Sequence, residues 1–438
     1  MSTIKLKKGY DLKLKGGITQ LEITGNPATS SCYGIIPDDF TGIIPRLDKK
    51  PGETVKAGEP IYHDKNFEKV KVTSPVSGTI KEVCRGERRK IEAIIIEPDG
   101  KDEQIKHDIS QPVIDVLVES GLWVMLRQRP YDVVPNPDVR PRDIFVTGFD
   151  SAPLAPNLIF VMGEKSKYLE KGIEVLSTLT DGKVYIGVNN SEITISGAEV
   201  NIFEGPHPAG NAGIQAANLK PVNKGDVIWT LDIVTLARIG ELFTTGIVSH
   251  DTVVALTGEC VAQPRYVKST IGCSISSLLG DEVKDDARII SGNVLTGVKV
   301  NVDSFLRAPY RQITVIPENN NPDEFMGWAS LNPKRFSLYR TFTSWLCGKR
   351  EISMDARIKG GERAIVRLDE YDNMLPMDIY AEFLIKAIIS FDIDKMEQLG
   401  IYEVAPEDFA LAEFACTSKL ELQRIVREGL DRMRAEMA

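Results

Sequence analysis

The spacing of apolar residues changes period along this chain, and that switching constrains the fold more than any single motif does. Short alternating runs broken by Gly, Pro and Asn indicate strands, whereas apolar spacings of three and four indicate helices. Residues 1–105 read as short strands and turns. Strands and helices then alternate over 106–248, β character returns over 249–330, and residues 331–438 are helical. A single layered core cannot satisfy all of these patterns, and 438 residues exceed what one core ordinarily serves. The expectation is a multidomain α/β protein with those four units.

In the first unit, Val55-x-x-Gly58-x-Pro60-Ile61 reads as a turn into a strand and Lys69–Thr73 as a half-buried strand. Ser74–Gly78 is then a turn and Thr79–Val83 the next strand. These phrases resemble the biotinyl/lipoyl-carrier family, a barrel-sandwich whose hairpin tip carries a modified lysine. Asp64-Lys65 resembles the carrier's Asp-Lys, but Lys65 lies further from Pro75 than the carrier spacing places it. A modifying ligase reads tip geometry, so the barrel is expected to be a structural module. The basic run Arg85, Arg88, Arg89 and Lys90 reads as a solvated turn, with a docking patch for an acidic partner as the sharper alternative.

In the second unit, Asp143–Gly148 and Asn157–Met162 are short apolar runs expected as buried parallel strands. Lys165–Leu179 is expected as a helix, and Lys183–Val188 and Glu199–Phe203 as strands. Ile228, Leu231, Val234, Ile239 and Leu242 mark one long helix ending near Gly246. The third unit predicts strands at Thr252–Thr257, Arg288–Ile290 and Lys299–Val302, with a serine-opened helix at Ser274–Leu279. The fourth predicts helices at Asp378–Ile389, Pro406–Phe414 and Lys419–Met433.

The richest candidate site is the loop Gly205-Pro-His-Pro-Ala-Gly-Asn-Ala-Gly213, placed after a strand, where α/β sheets bind ligands. Gly205, Gly210 and Gly213 permit close backbone approach, and His207 can move a proton. Pro206 and Pro208 remove amide donors that a phosphate would use, so a rigid turn carrying a surface histidine is the plainer reading. Gly163-Glu-Lys-Ser166 resembles the end of a P-loop, but Leu158 stands where that motif's first glycine belongs, leaving a helix start. His63, His107 and His250 have no partner at metal-ligand spacing, and the six cysteines form no CxxC pair. No catalytic triad is identified, and no metal is expected in the chain.

A net charge of −9 weighs against nucleic acid as a partner. No apolar run approaches the roughly 18 residues of a membrane span, and the N-terminus carries no secretory pattern. Residence in the cytoplasm is the expectation, with membrane association only through partners.

The order of units resembles the family that includes the flavin-bearing NADH-binding subunit of respiratory complex I, the A subunits of Na⁺-translocating NADH:quinone reductases and the Rnf C subunit. The resemblance rests on Gly16-Gly17 through Asn26-Pro27, Pro206–Gly210, Asn218–Val222, Leu375-Pro-Met377 and Cys416–Lys419. It implies a biotinyl/lipoyl-like barrel-sandwich, a Rossmann-like sheet, a β-grasp unit and a helical ferredoxin-like scaffold. Where the flavin-bearing relatives have a glycine-rich run after Ser-Gly-Leu, Ser120-Gly121-Leu122 leads into Trp123-Val-Met-Leu-Arg-Gln-Arg-Pro130. Where the Rnf protein carries cluster cysteines, Glu370–Met377 has none and the second motif keeps only Cys416. One thiolate cannot hold an iron–sulfur cluster.

The implied role is a cofactor-free, peripheral subunit of a Na⁺-pumping translocase that oxidises NADH and reduces quinone. Flavins and iron centres would then sit on partner subunits. The chain would dock against the membrane-embedded B subunit on the cytoplasmic side of the bacterial inner membrane, with its loop shaping a quinone site. The isolated chain is not expected to catalyse. Two rivals stand beside this reading: a flavoprotein that binds NADH directly, and a lipoyl- or biotin-carrying binding module.

Overall fold

The structure is a computed structural model that describes residues 2–437 apart from 26, 191, 192, 194, 281, 284, 285, 320–335, 337, 341, 348, 349 and 368. The expected junction near residue 330 therefore lies outside the described residues.

The N-terminal β unit is two small antiparallel sheets packed face to face. One runs in the order Tyr33–Ile35, Ile91–Pro98, Gly78–Arg85, Thr54–Val55, and the other Pro45–Leu47, Pro60–Asp64, Lys71–Thr73. Ile61, Tyr62, Ile80, Ile94 and Ile96 fill the interior. Asp64 is buried and accepts hydrogen bonds from the main-chain N–H groups of Ile44 at 2.9 Å and Asn66 at 3.3 Å. Its neighbour Lys65 points to solvent. The Asp-Lys pair is thus an anchor followed by an exposed lysine.

Six strands form the second sheet, in the order Ser2–Lys5, Glu199–Glu204, Val184–Val188, Asp143–Thr147, Ile228–Asp232, Arg127–Arg129. Only the last pairing is antiparallel. The first strand of the chain is therefore an edge of this sheet. Parallel strands covered on both faces read as continuous apolar runs, and Val184–Val188 is buried throughout. On one face Ile144, Val146 and Ile186 pack with the helices Leu169–Ser177 and Ile233–Thr245. On the other, Phe145 stacks on Tyr185 and packs with Phe203, the Ala212–Leu219 helix and the C-terminal helices.

Two expectations are corrected here. Asn157–Met162 is not a strand: Leu158–Met162 is a helix, and the Asn157 side chain caps it by accepting from the Phe160 N–H at 3.0 Å. The long helix expected from Ile228 begins only at Ile233, because Ile228–Asp232 is a strand of the sheet. Asp232 then caps the helix by accepting from the Thr235 N–H, and Gly246 closes it in the left-handed conformation at φ +78°.

The third unit is a mixed five-stranded sheet, ordered Arg265–Thr270, Asp251–Thr257, Gln312–Pro317, Ala287–Ser291, Val298–Val300. Ser274 opens the Ile275–Leu279 helix beside it, accepting from the Ser277 N–H. The C-terminal unit contains the helices Ala381–Ser390, Ile393–Gln398, Ala410–Ala415 and Leu422–Met437 around a core that includes Tyr371, Leu384, Phe409 and Leu430.

Candidate functional site

The five parallel strands of the six-stranded sheet present their C-terminal ends to one crevice. The chain runs outward from Asp143–Thr147 through Val184–Val188 to Glu199–Glu204, then crosses back to place Ile228–Asp232 on the other side of Asp143–Thr147. Such a switch point is where open α/β sheets bind ligands. The rim is built from Phe149–Ser151, Asp232 and the loop Gly205–Gly213, which leads from the strand ending at Glu204 into the helix starting at Ala212.

His207 is buried at 3% exposure, so it is not the surface histidine of the plainer reading. Its Nδ1 lies 3.0 Å from Ser151 Oγ, and its main-chain N–H donates to Asp11 Oδ1 at 2.9 Å. Its carbonyl accepts from the Tyr10 N–H at 2.9 Å. Gly9 sits at φ +114°, and a Cβ there would lie 2.2 Å from that carbonyl oxygen, so only glycine lets the N-terminal segment close over the loop. Burial pushes the His207 imidazole down to about 4, against a smaller opposing pull from Asp11, which keeps it neutral at pH 7. The Ser151–His207 contact is no half-built triad: the serine sits on Nδ1, and Nε2 is buried without a partner.

Three more of the loop's main-chain donors are engaged within the turn or by Ser151. Gly210 N–H donates to Ser151 Oγ at 2.8 Å, Ala209 N–H to Pro206 O and Asn211 N–H to Pro208 O. Pro206 and Pro208 have none, which leaves a phosphate few amide donors within the turn itself. Asp232 is likewise occupied, by its helix cap and by Arg311 at 2.7 and 3.2 Å.

Gly213 has a different role. A Cβ there would lie 2.3 Å from Arg129 Nη1. Arg129 is 1% exposed and donates to Asp408 Oδ2 and Glu403 O, both at 2.6 Å, and to Glu407 Oε1 at 3.1 Å. Burial alone would lower its affinity for a proton, but Asp408 and Glu407 outweigh that and hold it above the ordinary range. This pair joins the sheet's edge strand to the C-terminal unit. Sequence reading missed it, because its partners lie 279 residues apart with no local signal in either.

Two further segments singled out in the sequence meet in the fold. Tyr371 OH lies 3.1 Å from Cys416 Sγ, and Glu370 Oε2 accepts from both the N–H and the hydroxyl of Thr417. Trp123, by contrast, is fully buried and packs edge-on against Trp229 with ring centroids 5.0 Å apart. His63 Nδ1 lies 2.7 Å from Asp48 Oδ1, a carboxylate partner not foreseen in the sequence. Arg85 bonds within its own turn to Arg89 O, and Lys90 pairs with Asp38 at 2.6 Å. Among the described residues, no group of three or more His, Cys, Asp and Glu side chains is placed to hold a metal ion.

Comparison with known proteins gives matches from end to end. Family profiles described as NqrA N-terminal barrel-sandwich hybrid domain, NqrA second alpha/beta domain and NQRA C-terminal domain match residues 4–99, 109–248 and 253–302. A curated protein of Hahella chejuensis, named as the A subunit of Na(+)-translocating NADH-quinone reductase, is 37% identical over 99% of this chain and 100% of its own length. Proteins of the same name from Vibrio anguillarum and Saccharophagus degradans are 35% and 36% identical, each again over 99% of this chain and 100% of its own length.

Proposed function

We propose a function from the premise that this chain belongs to the NqrA family, the A subunits of the Na⁺-translocating NADH-quinone reductases: it is the A subunit of such an enzyme complex, supporting electron transfer from NADH to quinone coupled to Na⁺ transport. The observation that carries the reading is identity of 35–37% to three members along 99% of the chain. Among the described residues no helix is long and apolar enough to cross a membrane. Attachment through a membrane-embedded partner, the B subunit, on the cytoplasmic side follows from that reading.

The flavins and iron centres, in this account, sit on partner subunits. The residues present do not fit a flavin where the flavin-bearing relatives are expected to hold one. Trp123, Val124 and Leu126 are buried in the core and Arg129 is committed to its ion pairs, so no backbone is left open to a phosphate or ring. The six-stranded sheet we read as Rossmann-like, the five-stranded sheet as β-grasp, and the helical end as a ferredoxin-like scaffold. The contact of Tyr371 with Cys416 supports the last, since it joins the two segments that resemble cluster motifs. The unit boundaries near 105, 248 and 330 belong to the same reading. Quinone, where it meets this chain, meets it at the crevice rimmed by Ser151 and the Gly205–Gly213 loop, which His207 holds in shape.

Deleting the chain from the complex tests the function. Membranes lacking it should lose Na⁺-dependent quinone reduction by NADH, and the purified chain should restore it. Full activity in its absence would overturn the assignment. A purified chain carrying yellow flavin absorbance would favour the flavoprotein rival instead.

A further inference from the structure

A second site lies away from the crevice, where the barrel, the α/β unit and the third unit meet. There a cavity of about 50 Å³ has apolar walls that include Phe40, Leu122 and Ile271; its polar lining includes Arg238, Ser249, His250, Thr73, Ser120 and Asp39, whose carboxylate is paired with Arg307. At roughly 10–15 Å³ for each water-sized centre, that is room for a small ion and a water or two, and far too little for a nucleotide.

Arg238 projects from the Ile233–Thr245 helix and is 2% exposed. A guanidinium offers five N–H donors, yet one hydrogen bond is made, from Nη2 to the main-chain oxygen of Asp251 at 2.8 Å, and Nε has no partner. Of the nearby carboxylates, that of the exposed Asp251 acts on Arg238 by charge alone, and two others are engaged elsewhere. Asp232 pairs with Arg311 at 2.7 Å and Glu241 with Lys165 at 3.1 Å. His250 Nε2 is also buried without a partner, and Lys165 Nζ donates to Ser249 Oγ. A buried cation without a hydrogen-bonded counter-charge is costly, so folds rarely keep one without completing it.

We propose that this junction binds one small monovalent anion, of chloride or formate size, against the Arg238 guanidinium, with Ser249 and the Nε2–H form of His250 as further donors. The anion neutralises the buried charge and ties the three units together. Burial, reinforced by the charge of Arg311, lowers the Arg238 proton affinity against the opposing pull of Asp232, Glu241 and Asp251. Nothing in this inference depends on the electron-transfer role.

The test uses the full chain, exchanged into sodium gluconate, an anion too large for the cavity. Chloride or formate then replaces gluconate at constant Na⁺ and ionic strength while the melting temperature is followed. A saturable rise of roughly 2–4 °C is expected for the wild type and none for Arg238→Met. Equal melting temperatures in chloride, formate and gluconate would mean that water fills the cavity, and would overturn the proposal. So would an undiminished response in Arg238→Met. Should that variant fail to fold, bromide soaked into wild-type crystals decides: an anomalous peak beside Arg238 supports the site, and its absence refutes it.

Discussion

Gly213→Ala isolates the link between the candidate loop and the C-terminal unit. The added Cβ would meet Arg129 Nη1 at 2.3 Å and Cζ at 2.6 Å. Ordinary contact needs about 3.5 Å, so the guanidinium must retreat by at least ~1 Å. Its bonds to Asp408 and Glu403 are both 2.6 Å long and cannot survive that shift. Breaking one side of a buried pair costs about 3–5 kcal/mol. Replacing a helical glycine by alanine returns up to ~1 kcal/mol. The net loss is about 2–4 kcal/mol, or roughly 5–10 °C in the melting temperature of the affected unit.

The assay is a thermal scan combined with amide exchange of the Ala410–Ala415 helix, which follows the pair's carboxylates in the chain. The same substitution is then made in a background of Arg129→Met with Asp408→Asn. With no ion pair left to displace, its cost should fall below ~1 kcal/mol or change sign. An unchanged cost in that background, or wild-type stability for Gly213→Ala alone, would refute the reasoning.

Four further outcomes are expected. His207→Ala should lower the yield of assembled complex or its quinone reduction, and unchanged yield and turnover would reduce the loop to an inert turn. The same residue sets a pH dependence: its folded value of about 4 lies below the unfolded 6.5, so the unfolded chain takes up the extra proton. Stability should therefore fall as pH drops from 6.5 toward 4, by up to ~1.4 kcal/mol per pH unit, and His207→Gln should flatten that slope in acid denaturation. Asp39→Asn should loosen the barrel, since buried Asp39 pairs with Arg307 and accepts from the Ala308 N–H at 2.8 Å; faster proteolytic release of residues near 1–105 checks it. Lys65→Arg should leave assembly and turnover unchanged, because that exposed lysine is read as unmodified; a mass addition on Lys65 would contradict this.

Much of the fold was legible in local pattern. Gly246 marked its helix end, Ser274 its helix start, and the Gly205–Gly213 loop its place after a strand, although the helix Ala212–Leu219 behind it was not foreseen. The misreadings share a cause. Five-residue apolar runs such as Leu158–Met162 and Ile228–Asp232 carry too little periodicity to separate a buried strand from a helix. At Asn157 the cap signal was present and went unused, while at Ile228 a strand happened to continue the spacing of the helix behind it. The site was less legible than the fold. His207 and Gly213 were identifiable as unusual, but their partners Ser151, Asp11 and Arg129 come from segments that only the tertiary fold brings together. The Arg238 cavity gave no signal at all, because a guanidinium left with unused donors is a property of three units meeting and not of any one of them.

The central claim is that this chain works only as part of a membrane complex that carries the redox groups. Purifying the tagged chain from detergent-solubilised membranes, identifying its partners by mass and recording the visible spectrum tests it most directly. The account predicts co-elution with flavin- and iron-bearing membrane subunits, Na⁺-stimulated quinone reduction in that fraction, and a colourless chain once separated. A solitary chain that is yellow and oxidises NADH unaided would contradict it.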